Sequence, residues 1–120
     1  MQHFRNLKVW ERSHQLVLEV YRLTSSFPKD ERYGLTSQLR RSSASVPTNI
    51  AEGSKRIGQQ DFIRFLNIAE ASLSETEYLV MLSSDLGYFP SAKTEGLLKE
   101  ISELARMLNS LRAKIEEKAA

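Results

Sequence analysis

The sequence of 120 residues contains no cysteine, and it has only two histidines, three prolines and five glycines. The absence of cysteine excludes disulfides, thiolate metal ligands and cysteine nucleophiles, and it suits a reducing compartment, so we expect a cytoplasmic protein. No run of about 18 uncharged apolar residues occurs, so no transmembrane helix or membrane partner is expected. The first residues lack the apolar segment of a signal peptide. Length and composition fit one globular domain over residues 1–120.

The chain has little excess charge of either sign, because 17 basic residues are balanced by 15 acidic ones and the net charge is +2. The two halves nevertheless differ. Residues 1–60 hold ten Lys/Arg and five Asp/Glu, whereas residues 61–120 hold seven and ten. Such an asymmetry is found in proteins that bind nucleic acid or an acidic partner, and also on ordinary solvated surfaces.

Helical periodicity accounts for most of the chain, and four segments carry apolar residues at steps of three and four. The first segment spans about Leu7–Phe27 and ends before Pro28, because the residue before proline disfavours the helical conformation. It shows two adjacent apolar stripes, which together are wider than one partner helix needs. The stripe that we expect to face inward is Leu7, Trp10, His14, Val17 and Tyr21, and the second is Leu16, Val20, Leu23 and Phe27.

The second segment runs from about Tyr33 to Gly53, and its middle, residues 42–45, is small and hydroxylated. Small residues allow close helix approach. Pro47 lies inside the pattern, so we expect a kink there, with a break into two short helices as the alternative. Gly53 is a candidate C-cap. The inner face is expected to comprise Leu35, Leu39, Val46 and Ile50.

The third segment starts after Gly58 and ends at Gly87, and the fourth, which begins after the candidate N-cap Ser91, has the clearest pattern in the chain. The turn between them carries two aromatic rings, Tyr88 and Phe89. Because the connections are short, neighbouring helices should run antiparallel. We therefore predict an all-α, up-down-up-down four-helix bundle. The expected core stripes are Phe62, Leu66, Ala69, Leu73, Thr76 and Val80, followed by Leu97, Ile101, Leu104, Leu108, Leu111 and Ile115.

Catalytic chemistry has few candidate residues. Glu11 and His14 show the Glu-x-x-His spacing of bundle metal sites once, but the two histidines in the chain do not provide a second copy. The glutamates of the third segment are interpreted as solvated or ion-paired residues. No nucleophile, base and orienting group can be named together. The chain is therefore predicted to be non-enzymatic, with no metal, no cofactor and no catalytic residue.

Basic residues should gather at one end of such a bundle, where the first helix begins, the second meets the third and the fourth ends. Nine basic residues face five acidic ones there, and such a cluster can bind phosphates and release counterions. The alternative is a solvated surface, since basic residues suit helix C-termini anyway. The candidate nucleic-acid-binding residues are Arg5, Lys8, Arg12, Lys55, Arg56 and Arg64.

The run Ser45-Val46-Pro47-Thr48-Asn49-Ile50-Ala51-Glu52-Gly53 resembles a signature of bacterial four-helix-bundle proteins encoded in rRNA intervening sequences. That family includes the accessory variability protein of diversity-generating retroelements. Nearly the whole chain takes part in the resemblance. Further matching stretches are residues 4–10, Phe27 to Leu35, residues 38–41 and residues 62–75.

The resemblance implies an up-down four-helix bundle that assembles into a homopentamer, and it implies nucleic-acid and reverse-transcriptase binding by the retroelement relative. The expected function is a homo-oligomeric scaffold that binds RNA, DNA or a nucleoprotein through the basic end. The alternative is a protein-interaction or structural module without nucleic-acid affinity, whose protein partner meets the exposed rings of Tyr88 and Phe89 or another apolar patch. The shared motif is interpreted as structural, with Arg40 or Arg41 pairing to Glu52, Glu70 or Glu75 within or between subunits. Its residues are Arg40, Arg41, Pro47, Asn49, Glu52 and Gly53.

Overall fold

A computed structural model describes residues 3–119, and these residues form four α-helices and two short 3-10 turns without any strand. The all-α, four-helix prediction is confirmed. The predicted domain of 1–120 also includes Met1, Gln2 and Ala120, which lie outside the described residues. The helices are α1 (Lys8–Thr24), α2 (Leu35–Ser54), α3 (Gln59–Asp85) and α4 (Ser91–Ala119), and the 3-10 turns are Phe4–Asn6 and Lys29–Glu31.

The helices pack side by side, with α2 against α1 and α3, and α4 against α3 and α1. The longest dimension is 47 Å, close to the length of α4 at about 1.5 Å per residue. The core lies along the common axis, and the expected inner faces of α2 and α3 are buried throughout. Its largest fully buried side chains are Leu39, Ile50, Leu66, Leu73, Leu104 and Leu108.

The inward face of α1 differs from the prediction. Leu16 and Val20 are in the core, whereas Tyr21 of the other stripe is 46% exposed. Ser13 occupies the core-facing position before Leu16, because its hydroxyl donates to the Trp10 carbonyl at 2.8 Å and is thereby satisfied. Periodicity alone favoured the longer stripe, because the buried serine made the stripe that actually faces the core look shorter.

The turn from α3 to α4 is a Schellman motif. Gly87 adopts φ +81°, its N–H donates to the Ser84 carbonyl at 2.9 Å, and the Tyr88 N–H donates to the Ser83 carbonyl at 2.9 Å. This geometry turns the rings of Tyr88 and Phe89 inward onto Phe27, each with a centroid separation of 5.1 Å. The prediction of two exposed rings is therefore wrong, since Phe89 is buried and Tyr88 is half-buried.

The carboxylate of Glu31 joins this turn to the start of α2. It accepts from the Tyr88 hydroxyl at 3.0 Å and from the backbone N–H of Leu35 at 3.1 Å. The hydrogen bond to Glu31 raises the pKa of Tyr88, and burial of the phenol contributes in the same direction. One acidic side chain thus caps a helix and anchors the neighbouring connection.

Candidate nucleic-acid interface

The beginning of α1 and the turn between α2 and α3 meet at one end of the bundle. The Nζ of Lys55 lies 5.4 Å from the centre of the Phe4 ring, in a cation–π contact. Arg5 follows Phe4 in the 3-10 turn, where its backbone N–H donates to Nδ1 of His3 at 3.2 Å. Arg5, Lys8 and Lys55 are exposed. The two distant stretches of sequence are therefore brought together as the predicted basic end requires.

Arg56 and Arg64 share a second ring. Their guanidinium carbons lie 4.9 and 4.6 Å from the centre of the Phe65 ring, which is itself buried against the core. Arg64 also forms an ion pair with Asp61 at 3.4 Å. Both arginine side chains remain exposed, so the ring holds them in place without removing them from solvent. Phe4 and Phe65 were not among the predicted site residues, since ring contacts between segments leave no trace in helical periodicity.

Arg12 forms more side-chain hydrogen bonds than any other candidate residue. Its guanidinium donates to both carboxylate oxygens of Glu100, at 2.6 and 3.1 Å, and also to Glu103. These hydrogen bonds raise the pKa of Arg12 above its usual range, and they lower the pKa of Glu103. Two carboxylates compete with any phosphate for this guanidinium. Arg12 therefore ties α1 to α4, whereas the other five candidates keep exposed cationic groups.

A groove beside Arg12 adds basic residues to the six candidate nucleic-acid-binding residues. It lies between α1 and α4, has a volume of about 520 Å³ and continues the exposed charge of Lys8. Arg106 and Lys114 line it from α4. Lys114 is one of the nine basic residues that the predicted topology places at the basic end, whereas Arg106 lies further toward the middle of α4 and is not one of them.

Within the shared motif, the two arginines have different surroundings. The Nε of Arg40 donates to the Thr24 hydroxyl at 2.8 Å, and an Nη donates to the Tyr21 carbonyl at 3.3 Å, so Arg40 caps the end of α1. Arg41 is exposed and lines a polar cavity together with Glu75. Among the described residues, neither arginine forms an ion pair with a glutamate, and Glu70 pairs with Arg112 instead.

Helix α2 continues through Pro47 as a single helix, so the alternative of two short helices is wrong. A side chain beside the proline adds hydrogen bonds to this part of the helix. The Nδ2 of Asn49 donates to the Ser45 carbonyl at 2.8 Å and to the Ser45 hydroxyl at 2.9 Å. Glu52 is exposed and borders a groove between α1 and α2. Asn49 therefore stabilises this part of α2, whereas Glu52 contributes to the surface of the groove.

Gly53 does not cap α2, so the C-cap prediction is wrong. The helix continues to Ser54, and among the described residues only Gly87 has a positive φ. A Cβ at position 53 would lie 2.7 Å from the Cβ of Phe65 and 2.9 Å from a ring carbon of Phe62. Gly53 is thus needed for close contact between α2 and α3. The same contact places Phe65 beneath Arg56 and Arg64.

Chemistry-bearing side chains are dispersed in the described part of the chain. His14 stacks on Trp10 with ring centroids 5.2 Å apart, so it belongs to an aromatic cluster. Residues 3–119 contain no group of three or more His, Asp or Glu side chains placed to hold a metal ion. Within the same residues, no helix is both long and apolar enough to cross a membrane.

The fold and the exposed cations thus define a small four-helix protein with a basic end. The chain belongs to the 23S rRNA-intervening sequence protein family, whose model matches residues 5–110. Its fold is also similar to a crystal structure from Bacteroides thetaiotaomicron, described as a protein with unknown function from the S23 ribosomal protein family. That match has a TM-score of 0.81 and 25% identity, and it covers 88% of this chain and 95% of the other. No curated protein matches the sequence.

Proposed function

We propose that this chain is a non-catalytic, homo-oligomeric scaffold that binds RNA or DNA through its basic end. The observation that carries the proposal is the set of exposed cations held on two rings where α1 begins and α2 meets α3. Lys55 lies on Phe4, and Arg56 and Arg64 lie on Phe65. Cations held in place lose less side-chain entropy when they contact phosphates. Their neutralisation of phosphates releases counterions, which supplies most non-specific affinity.

The up-down-up-down course of the chain is part of this proposal, and cross-helix contacts support it. Arg40 near the start of α2 contacts the end of α1 at Thr24, and Ser42 near the start of α2 accepts from Thr76 toward the end of α3. Arg112 in the last part of α4 pairs with Glu70 in α3. We also infer a kink at Pro47, because its missing N–H leaves the Ser43 carbonyl without its helical donor.

Five subunits in a closed ring would need two different complementary surfaces on each chain, since ring contacts are heterologous. Two separate apolar surfaces are available. One is the α1–α2 groove, with a volume of about 430 Å³ and a lining that includes Trp10, His14 and Val17. The other is the outer face of α3, where Tyr78 and Met81 are exposed. The retroelement relationship remains a proposal that rests on the shared motif.

Binding is tested by fluorescence anisotropy with labelled structured RNA and labelled duplex DNA, from low to physiological salt. We expect the parent to bind with a steep salt dependence. The double variant Lys55→Glu/Arg56→Glu should lose at least about tenfold in affinity, because repulsion replaces two phosphate contacts, and its salt slope should fall by about two. Arg12 is left unchanged, because its substitution would also break the contacts with Glu100 and Glu103.

The matched control is Lys93→Glu/Lys99→Glu, which makes the same change in net charge on exposed positions of α4. Lys93 lines a groove with Arg22, near the end of α1 and away from the basic end. An equal loss of affinity in both double variants would contradict the assignment of the surface. No binding by the parent at low salt would refute the nucleic-acid proposal and favour the protein-interaction module.

Light scattering tests the oligomer. We expect the parent to have about five times the chain mass of 13.7 kDa. Val17→Arg should reduce that mass, because it places a charge in the α1–α2 groove without altering the core. Leu18→Arg is the matched control, since the neighbouring side chain is exposed on another part of α1. A monomeric parent, or equal dissociation of both variants, would contradict this arrangement.

A further inference from the structure

Ile57 at the apex of the α2–α3 connection has no protection from solvent. Its relative exposure is 102%, whereas the exposed aliphatic residues Leu86 and Met81 reach 49% and 48%. The connection is only four residues long, from Lys55 to Gly58, and Ile57 follows two basic residues in it. A large aliphatic side chain is therefore presented at the tip of the basic end.

The backbone on both sides of Ile57 is fixed to a helix end. The Lys55 N–H donates to the Glu52 carbonyl at 3.3 Å, and the Arg56 N–H donates to the Gly53 carbonyl at 3.1 Å. On the other side, the Gly58 carbonyl accepts the N–H of Phe62 at 3.2 Å. Ile57 thus projects from a short, anchored connection, so its insertion into a partner would cost little additional ordering.

The charges around Ile57 fit an anionic partner. Lys55 and Arg56 precede it and are exposed, and residues 53–60 contain no acidic side chain. The nearest acidic residues along the chain are Glu52 and Asp61, and Asp61 is paired with Arg64. An apolar side chain directly preceded by two cations matches the pattern of proteins that insert a wedge between base steps while contacting adjacent phosphates.

The rings at this end favour a duplex over a single strand. Proteins that bind single strands stack bases on accessible aromatic side chains. Here Lys55 lies on Phe4, while Phe65 is buried and carries Arg56 and Arg64. These rings serve the cations, so the accessible apolar group at the tip is Ile57. An aliphatic wedge acts by separating stacked base pairs, and these are present in a duplex but not in a single strand.

We propose that Ile57 inserts between stacked base pairs of a duplex, while Lys55 and Arg56 contact the flanking phosphates. The inference rests on the proposed nucleic-acid function and adds the mode of binding to it. Partial unstacking would kink the duplex, most easily at flexible pyrimidine–purine steps. The predicted ligand is therefore a duplex with at least one such step, recognised through its deformability.

The test uses a DNA duplex with 2-aminopurine at a central TA step, because this base fluoresces more strongly when it is unstacked. We expect the full-length parent to increase its fluorescence on binding. Ile57→Ser should remove that increase while lowering affinity by less than about tenfold, since the cations that supply most of the attraction remain. Ile57→Leu should preserve the increase, because leucine is also an effective wedge.

Leu86→Ser is the matched control, since it removes an exposed aliphatic side chain from the α3–α4 turn, and it should behave as the parent does. Binding by the parent without increased fluorescence would overturn the wedge and leave the proposed function intact. No binding by the parent would overturn both. Loss of oligomer mass in Ile57→Ser, measured by light scattering, would assign Ile57 to a subunit contact and overturn the wedge.

Discussion

The α2–α3 and α1–α4 interfaces of this bundle are built in opposite ways. Between α2 and α3, small and hydroxylated residues bring the helices together. Ser72 donates to the Ser45 hydroxyl at 2.8 Å, and Thr76 donates to that of Ser42 at 2.9 Å. Between α1 and α4, by contrast, open grooves of about 520 and 430 Å³ remain, and Arg12 is the principal polar connection.

This difference separates the rigid part of the candidate site from its adjustable part. Lys55, Arg56 and Arg64 are attached to the close α2–α3 interface, where Gly53 permits contact with Phe65. Dense packing around Gly53 resists movement, because few voids are available there to absorb it. Lys8, in contrast, borders the α1–α4 groove, where long charged side chains can rearrange more freely. We therefore expect phosphate contacts at the α2–α3 turn to be geometrically better defined.

The close contact between α2 and α3 is tested most directly by adding one methyl group to it. Gly53→Ala would place its Cβ 2.7 Å from the Cβ of Phe65, which can yield only if α3 moves. We expect a loss of about 1–2 kcal/mol in the free energy of unfolding, because overpacking outweighs the higher helix propensity of alanine. Chemical denaturation at fixed protein concentration measures the change.

Gly96→Ala provides the control for helix propensity. Gly96 lies inside α4, and a Cβ there would meet no heavy atom of another helix within 4 Å. The free energy of unfolding should therefore rise by up to about 1 kcal/mol. Opposite signs for the two glycine variants would confirm the contrast between the interfaces. A stabilised Gly53→Ala would show that α2 and α3 are not closely packed at this point.

Helical periodicity predicted the core positions of three helices and failed for α1. The core stripes of α2, α3 and α4 were predictable, because Leu39, Leu73 and Leu104 occupy positions where burial and helical periodicity agree. In α1 they disagree, since Ser13 is buried and Tyr21 is exposed. A polar residue whose hydroxyl bonds its own helix can occupy the core, and no periodic signal reports that compensation.

The position of the candidate site could be predicted from the sequence, but the exposure and the ion pairing of its residues could not. Topology placed Lys55 and Arg5 at the same end. The contact of Lys55 with the ring of Phe4, the residue before Arg5, agrees with that expectation. Formal charge did not distinguish the exposed Lys55 from Arg12, whose guanidinium bonds two glutamates. Likewise, the glycine at position 53 suggested a helix end, whereas its actual role depends on Phe65 across the interface. Such pairings arise from tertiary contacts, which one sequence does not specify.

The smallest expected effect concerns the open interface and its dependence on pH. Hydrogen bonding from Arg12 lowers the pKa of Glu103 below its ordinary value of 4.5, so the ionised form stabilises the folded chain. This contribution is fully present above that ordinary value and is lost as the pH falls through the lower folded pKa. Glu103→Gln should therefore be slightly less stable than the parent at neutral pH and approach it in acid.

Denaturant titrations of the parent and Glu103→Gln, from pH 7 to pH 3, measure this convergence. Glu95→Gln is the matched control, because Glu95 is exposed on the same helix and should show a much smaller difference from the parent. High salt should also reduce the effect of Glu103→Gln, since partly exposed charges are screened. A difference that stays constant with pH would mean that Glu103 contributes through packing alone, and the α1–α4 interface would then not depend on its charge.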